Sequence, residues 1–174
     1  AQDILEFDAY CAERNIELVP SVATFGHLYK VLRTKTFHEL SEVEEAEGTA
    51  FSFYERMCHH TLNSTDDRAY ELVCRLIDEY SPLFRSNLFN INCDETFDLG
   101  RGRGKERADE IGSHVMYVQW VNRVCEHVKA LGKRPMFWGD IIAAHPEAIK
   151  ELPEDVICMT WDYSPTPREI NVKK

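Results

Sequence analysis

The sequence predicts an α/β fold of the (β/α)8 TIM-barrel type. Four apolar segments that predict strands alternate with segments of helical periodicity, a pattern that open doubly wound sheets share. All four predicted strands end in polar or aromatic residues, and a barrel collects its functional residues at the carboxyl ends of its strands. A complete barrel takes about 250 residues, whereas this chain has 174. We therefore expect a partial barrel domain over residues 1–174, with about four strands and truncation at both ends.

The first half of the chain is predicted to contain a helix, a strand, a long loop and a second helix. Helical spacing predicts a helix over residues 3–14, and the apolar segment 16–23 predicts a buried strand. Residues 24–63 show no sustained period and exceed an ordinary connection, which indicates a functional loop. Thr65 or Asp66 is placed to cap the next helix. Its predicted apolar face consists of Ala69, Leu72, Val73, Leu76, Ile77 and Tyr80.

The second half is predicted to contain three strands separated by helices. The strands cover residues 88–93, 134–138 and 156–161. A helix from about 106 to 131 and a shorter helix over 145–152 lie between them.

Composition excludes several classes of function. The chain has 20 Lys and Arg against 30 Asp and Glu, a net charge of −10, and no segment basic enough to bind a run of phosphates. We therefore expect no nucleic acid partner. No apolar run approaches the ~20 residues that span a bilayer, and no signal peptide pattern opens the chain, so we expect no membrane association. The six cysteines are widely spaced without a CxxC motif, which favours free thiols and a cytoplasmic location.

Two local patterns are similar to ligand-binding motifs but fail their spacing rules. In the Gly- and Arg-rich segment 99–105, Lys105 stands where a dinucleotide loop needs Gly, and Glu106 where a phosphate loop needs Ser or Thr. We expect a flexible, solvated loop there. His59 and His60 are adjacent and lack partners at metal-ligand spacing, so we predict surface or loop histidines and no metal site.

The adjacent carboxylates Asp94 and Glu95 are the strongest candidates for chemistry. Two carboxylates at the end of a hydrophobic strand repel each other when both are ionised, so one should hold its proton near neutral pH, as a general acid requires. The same position also suits a helix cap or a salt bridge to Arg101 or Arg103. His27, at the end of the first predicted strand, is placed to hydrogen-bond a catalytic carboxyl, although a turn residue fits its position as well.

The last two predicted strands each end in a tryptophan, and further acids follow. Trp138 and Trp161 could form an apolar wall that packs on a sugar ring and desolvates a nearby carboxyl, although either indole also suits a core. Asp140 and Asp162 could accept hydrogen bonds from sugar hydroxyls or cap the segments that follow. Tyr163 is a weaker candidate of the same kind.

At these residues the sequence resembles the family 20 glycoside hydrolases, the β-N-acetylhexosaminidases. Segment 89–95, which ends in Cys-Asp-Glu, resembles the fourth-strand signature of that family. Segment 22–27 resembles the third-strand segment that ends in Gly-His, and segment 138–140 resembles the fifth-strand Trp followed by an acid. The resemblance runs from about residue 27 to 161 and implies roughly strands 3 to 6 of the barrel.

The resemblance implies a hydrolase that removes terminal β-linked N-acetylhexosamine, GlcNAc or GalNAc, without a cofactor. Glu95 would be the general acid/base, and Asp94 would orient the substrate's own 2-acetamido group. The carbonyl oxygen of that group attacks the anomeric carbon with net retention, so the enzyme needs no nucleophile. His27 would support Glu95, and Trp138 and Trp161 would line the sugar pocket.

The sequence departs from the family pattern at two positions and leaves two other readings open. Cys93 stands where many members have Gly, and Asp140 where many have Glu. An ordinary retaining β-glycosidase with an enzyme nucleophile, or a sugar-binding barrel fragment without catalysis, also fits these residues.

Four strands cannot close a barrel, so we expect the isolated chain to self-associate or to be marginally stable.

Overall fold

The computed structural model describes residues 1–44, 48 and 50–166. The α-helices in these residues are α1 (Gln2–Ala12), α2 (Tyr29–Leu32), α3 (Phe53–Arg56), α4 (Asp67–Tyr80), α5 (Lys105–Ile111), α6 (Ser113–Ala130) and α7 (Asp140–Ala144). The strands are β1 (Leu88–Asn90), β2 (Arg134–Trp138) and β3 (Ile157–Met159). Short 3-10 helices cover His38–Leu40, Ser81–Leu83 and Pro146–Glu151.

The three strands form a parallel sheet in the order β1-β2-β3. Phe89 pairs with Pro135 in the first ladder, and Phe137 pairs with Cys158 in the second. Helices cross over between the strands, as the alternating sequence pattern predicts. Strand β2 has its predicted bounds, whereas β1 and β3 are shorter than predicted.

The strand predicted over residues 16–23 is wrong in extent, because the structure has only one bridge there, between Ser21 and Asn90. The bridge is closed by Asn90 N–H donating to Pro20 O and Val22 N–H donating to Asn90 O, at 2.9 and 3.0 Å. The next rung of a parallel ladder would need an N–H at Pro20, which proline lacks. Leu88 N–H donates instead to Ser86 Oγ at 3.0 Å.

The helix α4 follows its predicted pattern closely. The Asp66 carboxylate accepts a hydrogen bond from Arg68 N–H and caps the helix. Of the predicted apolar face, Ala69, Leu72, Val73 and Ile77 are buried.

Two other predicted helices differ from the structure. The helix predicted over 106–131 is two helices, because Gly112 between α5 and α6 has φ of +87°. That left-handed backbone interrupts helical hydrogen bonding and favours glycine. The helix predicted over 145–152 is a 3-10 helix over Pro146–Glu151, and the sequence did not predict α7.

The core lies between α6 and the sheet. Tyr117 and Trp120 of α6 are 0% and 2% exposed, and both rings stack on Phe25, with centroid separations of 5.9 and 4.9 Å. These contacts pack Phe25, in the segment after the Ser21 bridge, against α6. The same helix also buries Val118, Val121, Cys125 and Val128.

All six cysteines are free thiols, but they are not uniformly buried. Cys58 and Cys158 are exposed, whereas Cys11, Cys93 and Cys125 are buried. In the part of the chain that the structure describes, no helix combines the length and hydropathy needed to cross a membrane.

Candidate active site

The candidate site lies where the chain leaves β1 and where the long loop that contains His27 follows the bridge at Ser21. The His27 Nε2 atom lies 3.0 Å from Asp94 Oδ2 and 3.4 Å from Glu95 Oε2. These three side chains are 37%, 20% and 25% exposed, so all three reach solvent from a partly buried cluster. One imidazole nitrogen therefore bridges the two adjacent carboxylates.

The backbone of this cluster is held in an uncommon conformation. Four non-glycine residues have left-handed φ values: His27 (+61°), Asn92 (+58°), Cys93 (+65°) and Glu95 (+53°). Such residues cost of order 1 kcal/mol each and persist only where the surroundings fix them. Gly26 makes the close approach possible, because a Cβ there would lie 2.3 Å from the Asp94 carbonyl oxygen.

Asp140 supports the Glu95 backbone. Its Oδ2 atom accepts a hydrogen bond from Glu95 N–H at 3.0 Å. Burial raises the pKa of Asp140, and the nearby charges of Asp94 and Glu95 raise it further. One oxygen of Asp140 therefore binds the protein itself, at the Glu95 backbone, whereas the sequence offered a sugar hydroxyl or a cap of the following segment as its role.

His60 lies in a loop, as predicted, but the structure corrects the prediction that it could lie at the surface. His60 is 2% exposed. Its ring lies between the backbones of His27 and Glu95, with Nδ1 3.0 Å from His27 N and Nε2 2.8 Å from Glu95 O. Asp98, which is 1% exposed, accepts a hydrogen bond from His60 N–H at 3.0 Å. The sequence carried no signal for this role, because the partners of His60 are distant along the chain.

Residues of the core fix the backbone immediately before the two carboxylates. Tyr117 Oη donates to Cys93 O at 2.9 Å, and Thr24 Oγ1 donates to Ile91 O at 2.6 Å. Trp120 Nε1 donates to Thr24 O at 3.2 Å. Burial raises the pKa of Tyr117 well above its usual range, so its hydroxyl stays protonated as a donor.

The two predicted tryptophans have different surroundings. Trp138, at the end of β2, donates from Nε1 to Asn92 Oδ1 at 3.1 Å, which ties it to the segment that precedes Asp94. Trp161 is 40% exposed and Tyr163 is 93% exposed. The centroids of their two rings lie 5.5 Å apart. Neither side chain takes part in the hydrogen bonds described above among His27, Asp94, Glu95 and their neighbours.

The Gly- and Arg-rich segment is not the freely solvated loop that the sequence predicted. It encloses Glu42, which is 0% exposed. Glu42 Oε1 accepts hydrogen bonds from Gly102 N–H and Gly104 N–H at 3.1 and 2.9 Å. Arg103 N–H donates to the Glu42 carbonyl oxygen at 2.7 Å. This contact joins the loop that follows the candidate site to the loop that follows His27.

The electrostatics of the cluster favour a charged His27. Its hydrogen bond with Asp94 raises the pKa of His27, and the charges of Glu95 and Asp140 act in the same direction against the cost of burial. Among the described residues, no three His, Cys, Asp or Glu side chains form a group that could hold a metal ion. The arrangement can therefore hold and move a proton between an imidazole and two carboxylates, which is acid/base chemistry.

The fold and this cluster together define a class of protein. A parallel α/β sheet with paired carboxylates at its strand ends, and indoles on neighbouring strands, is typical of barrel glycosidases. The sequence profile of the glycosyl hydrolase family 20 catalytic domain matches residues 1–173. The chain belongs to glycosyl hydrolase family 20.

Similar proteins and solved structures support this family assignment. Hexosaminidase D of Homo sapiens is 30% identical over 158 residues, which are 86% of this chain and 30% of the human protein. Beta-N-acetylhexosaminidase from Bacteroides fragilis superposes with a TM-score of 0.74 at 20% identity, over 99% of this chain and 33% of that one. A chitobiase from Flavobacterium johnsoniae superposes with a TM-score of 0.73 at 23% identity, over 92% of this chain and 24% of that one. At this identity the superpositions show a shared barrel-domain fold, and the chain spans about a third or less of the length of these three proteins.

Proposed function

We propose that the protein containing this chain removes terminal β-linked N-acetylhexosamine from glycans with net retention of configuration. The observation that carries the proposal is the contact of His27 with both Asp94 and Glu95 at the strand ends of a family 20 domain. The partner is a carbohydrate, and the substrate's own acetamido oxygen is the nucleophile. Residues 1–174 form the central part of the catalytic barrel in this proposal, about strands 3 to 6.

In this proposal the two carboxylates have different roles. Glu95 protonates the leaving oxygen and later takes a proton from water. Asp94 accepts a hydrogen bond from the amide N–H of the substrate and balances the positive charge of the oxazolinium ring. His27 supports both roles, because its Nε2 atom lies within 3.4 Å of an oxygen of each carboxylate.

The remaining predicted residues shape the sugar site. Trp138, held by Asn92 at the end of β2, offers an indole face for the sugar ring and its acetamido methyl group. Trp161 and Tyr163 extend the aromatic surface beyond β3. The free oxygen of Asp140 is buried and has no hydrogen-bond partner among the described residues, so we assign Asp140 to support of Glu95 and to a hydroxyl of bound sugar.

Binding of a GlcNAc thiazoline tests this function. The thiazoline mimics the cyclised intermediate, so calorimetry on the full-length protein should give tighter binding than for GlcNAc itself. Asp94→Asn should weaken thiazoline binding more than GlcNAc binding, because the carboxylate balances a charge that only the cyclised state carries. Glu44→Gln, at a surface acid, is the control. Equal affinity for thiazoline and GlcNAc in the wild type would favour an ordinary glycosidase, and binding of neither would remove the sugar site.

A further inference from the structure

We propose that His60 is a positioning residue for the two groups at the centre of the site, and that Asp98 fixes His60 in place. The proposal rests on the proposed function, because it concerns how Glu95 and His27 are aligned. The ring of His60 makes no hydrogen bond to the side chains of Asp94 or Glu95. It bonds instead to the backbone of His27 and the backbone of Glu95.

The hydrogen bonds of His60 determine its tautomer. The backbone N–H of His27 can only donate, so His60 Nδ1 must accept and carries no proton. The carbonyl oxygen of Glu95 can only accept, so His60 Nε2 must carry the proton. A neutral ring with this one tautomer is therefore required for both bonds. Burial lowers the pKa of His60, in keeping with a neutral ring.

The two backbones that His60 joins are strained. His27 and Glu95 both have left-handed φ values, of +61° and +53°. Non-glycine residues keep this conformation only when neighbouring groups hold them. The Glu95 residue is held at both ends of its backbone, since Asp140 accepts from its N–H and His60 donates to its C=O. Without the His60 ring, the N–H of His27 loses its acceptor, and the C=O of Glu95 keeps only the hydrogen bond from Phe97 N–H, at 2.8 Å.

Asp98 links the backbone at His60 to the segment that carries Glu95. Its carboxylate accepts hydrogen bonds from His60 N–H and Thr61 N–H at 3.0 and 3.1 Å, and from the Thr61 hydroxyl. Asp98 lies three residues after Glu95, so the segment that carries Glu95 also holds the backbone of the residue whose ring supports Glu95. Both His60 and Asp98 are almost fully buried, so solvent does not compete for these bonds.

The first test measures the position of His27 without using activity. The groups that face His27 are Asp94, Glu95, Asp140 and His60, and its raised pKa depends mainly on the hydrogen bond with Asp94. We expect His60→Ala to lower the pKa of His27 towards 6.5, its ordinary value, in an NMR titration of the full-length protein. His59→Ala is the matched control. The His59 ring stacks on Phe51, with ring centroids 3.9 Å apart, and lies outside the cluster of His27, Asp94 and Glu95.

The second test measures turnover in the full-length protein. A misplaced acid and a misplaced histidine should lower kcat by about 10- to 100-fold, with a smaller change in KM. His60→Asn retains an acceptor near the Nδ1 position, and His60→Gln retains a donor near the Nε2 position, so each should recover part of the loss. Asp98→Asn should reproduce part of the His60→Ala effect.

The outcomes separate this proposal from the proposed function. A folded His60→Ala protein with the wild-type His27 titration and wild-type kcat would overturn the positioning role. If His60→Ala does not fold, wild-type behaviour of both the Asn and Gln variants would overturn it equally. If the wild type does not cleave N-acetylhexosaminides, the proposed function fails, while the His27 titration still decides whether His60 positions that ring.

Discussion

Glu95 is held at the strand end through its backbone, while its side chain faces His27 and solvent. Because Asp140 and His60 bond only to the backbone N–H and C=O of Glu95, Glu95→Gln should leave the cluster in place. We expect turnover to fall at least about 10²-fold on substrates with poor leaving groups, and far less on nitrophenyl glycosides, which need little protonation. Steady-state kinetics on both substrate types measures the difference. Equal losses would remove Glu95 from the acid role.

Asp94 should contribute mainly to the transition state. Asp94→Asn keeps the volume but removes the charge that balances the oxazolinium ring. We expect a loss of about 10²-fold in kcat, with little change in KM. A loss confined to KM would place Asp94 in ground-state binding instead.

The same substitution should change how stability depends on pH. The hydrogen bond with Asp94 raises the pKa of His27, so the folded state binds a proton more tightly than the unfolded state. The resulting stabilisation is fully present below pH 6.5, the ordinary pKa of histidine, and is lost as the pH rises through the folded pKa. Urea unfolding should therefore show a larger loss of stability for Asp94→Asn at pH 6 than at pH 9. The same loss at both pH values would show that His27 gains nothing from Asp94.

Sequence position alone identified Asp94, Glu95, His27 and Asp140 as candidates, because acids and histidines at strand ends are visible in the pattern. Their catalytic and binding roles stay predictions. The sequence missed the burial of His60 and its contacts, because its hydrogen bond to Glu95 joins residues 35 positions apart. No local rule signals a contact of that separation.

Among the structural elements, the loop containing segment 99–105 depends on one buried acid. Burial raises the pKa of Glu42 despite hydrogen bonds from Gly102 and Gly104. The folded state therefore retains a proton that the unfolded state releases, and stability falls as the pH rises from about 4.5 through the folded pKa.

Substitutions at Glu42 should separate its charge from its hydrogen bonds. Glu42→Gln keeps an acceptor for the two glycine N–H groups, so we expect it to remove this pH dependence at little cost. Glu42→Ala leaves both N–H groups without their acceptor and should destabilise the protein by about 1–3 kcal/mol. Urea unfolding from pH 4 to 8 checks both, with Glu79→Gln, at an exposed acid on α4, as control. An unchanged slope in Glu42→Gln would mean that Glu42 does not titrate in this range.

Element prediction succeeded where the signal is local and failed where backbone chemistry intervenes. The amphipathic face and Asp66 cap of α4 are readable from the sequence. The missing rung at Pro20 and the break at Gly112 depend on single residues within otherwise regular patterns. Tertiary hydrogen bonding decides how far each strand extends.

The molecule as a whole presents apolar surface on α1. Leu5, Phe7 and Tyr10 are 43%, 54% and 54% exposed. The alternating pattern predicted the parallel sheet correctly, but it did not show which surfaces remain uncovered. Exposed apolar side chains of this size favour association.

The 174-residue chain should therefore self-associate, as four strands or fewer cannot close a barrel. We expect light scattering to give a mass above 20.2 kDa that falls towards that value in Phe7→Glu. Ala12→Glu adds the same charge at an exposed site on α1 and is the control. A monodisperse wild-type monomer with a cooperative, high melting temperature would contradict this expectation.

In the proposed mechanism, the acetamido oxygen of the substrate attacks the anomeric carbon beside Asp94 and Glu95. Progressive fluorination of the N-acetyl group weakens this oxygen as a nucleophile without changing the leaving group. The most direct measurement is kcat of the full-length protein on nitrophenyl glycosides that carry acetyl, monofluoroacetyl, difluoroacetyl and trifluoroacetyl groups. We expect a steep, monotonic fall in kcat along this series. A rate indifferent to fluorination would contradict it and would require a nucleophile from the enzyme.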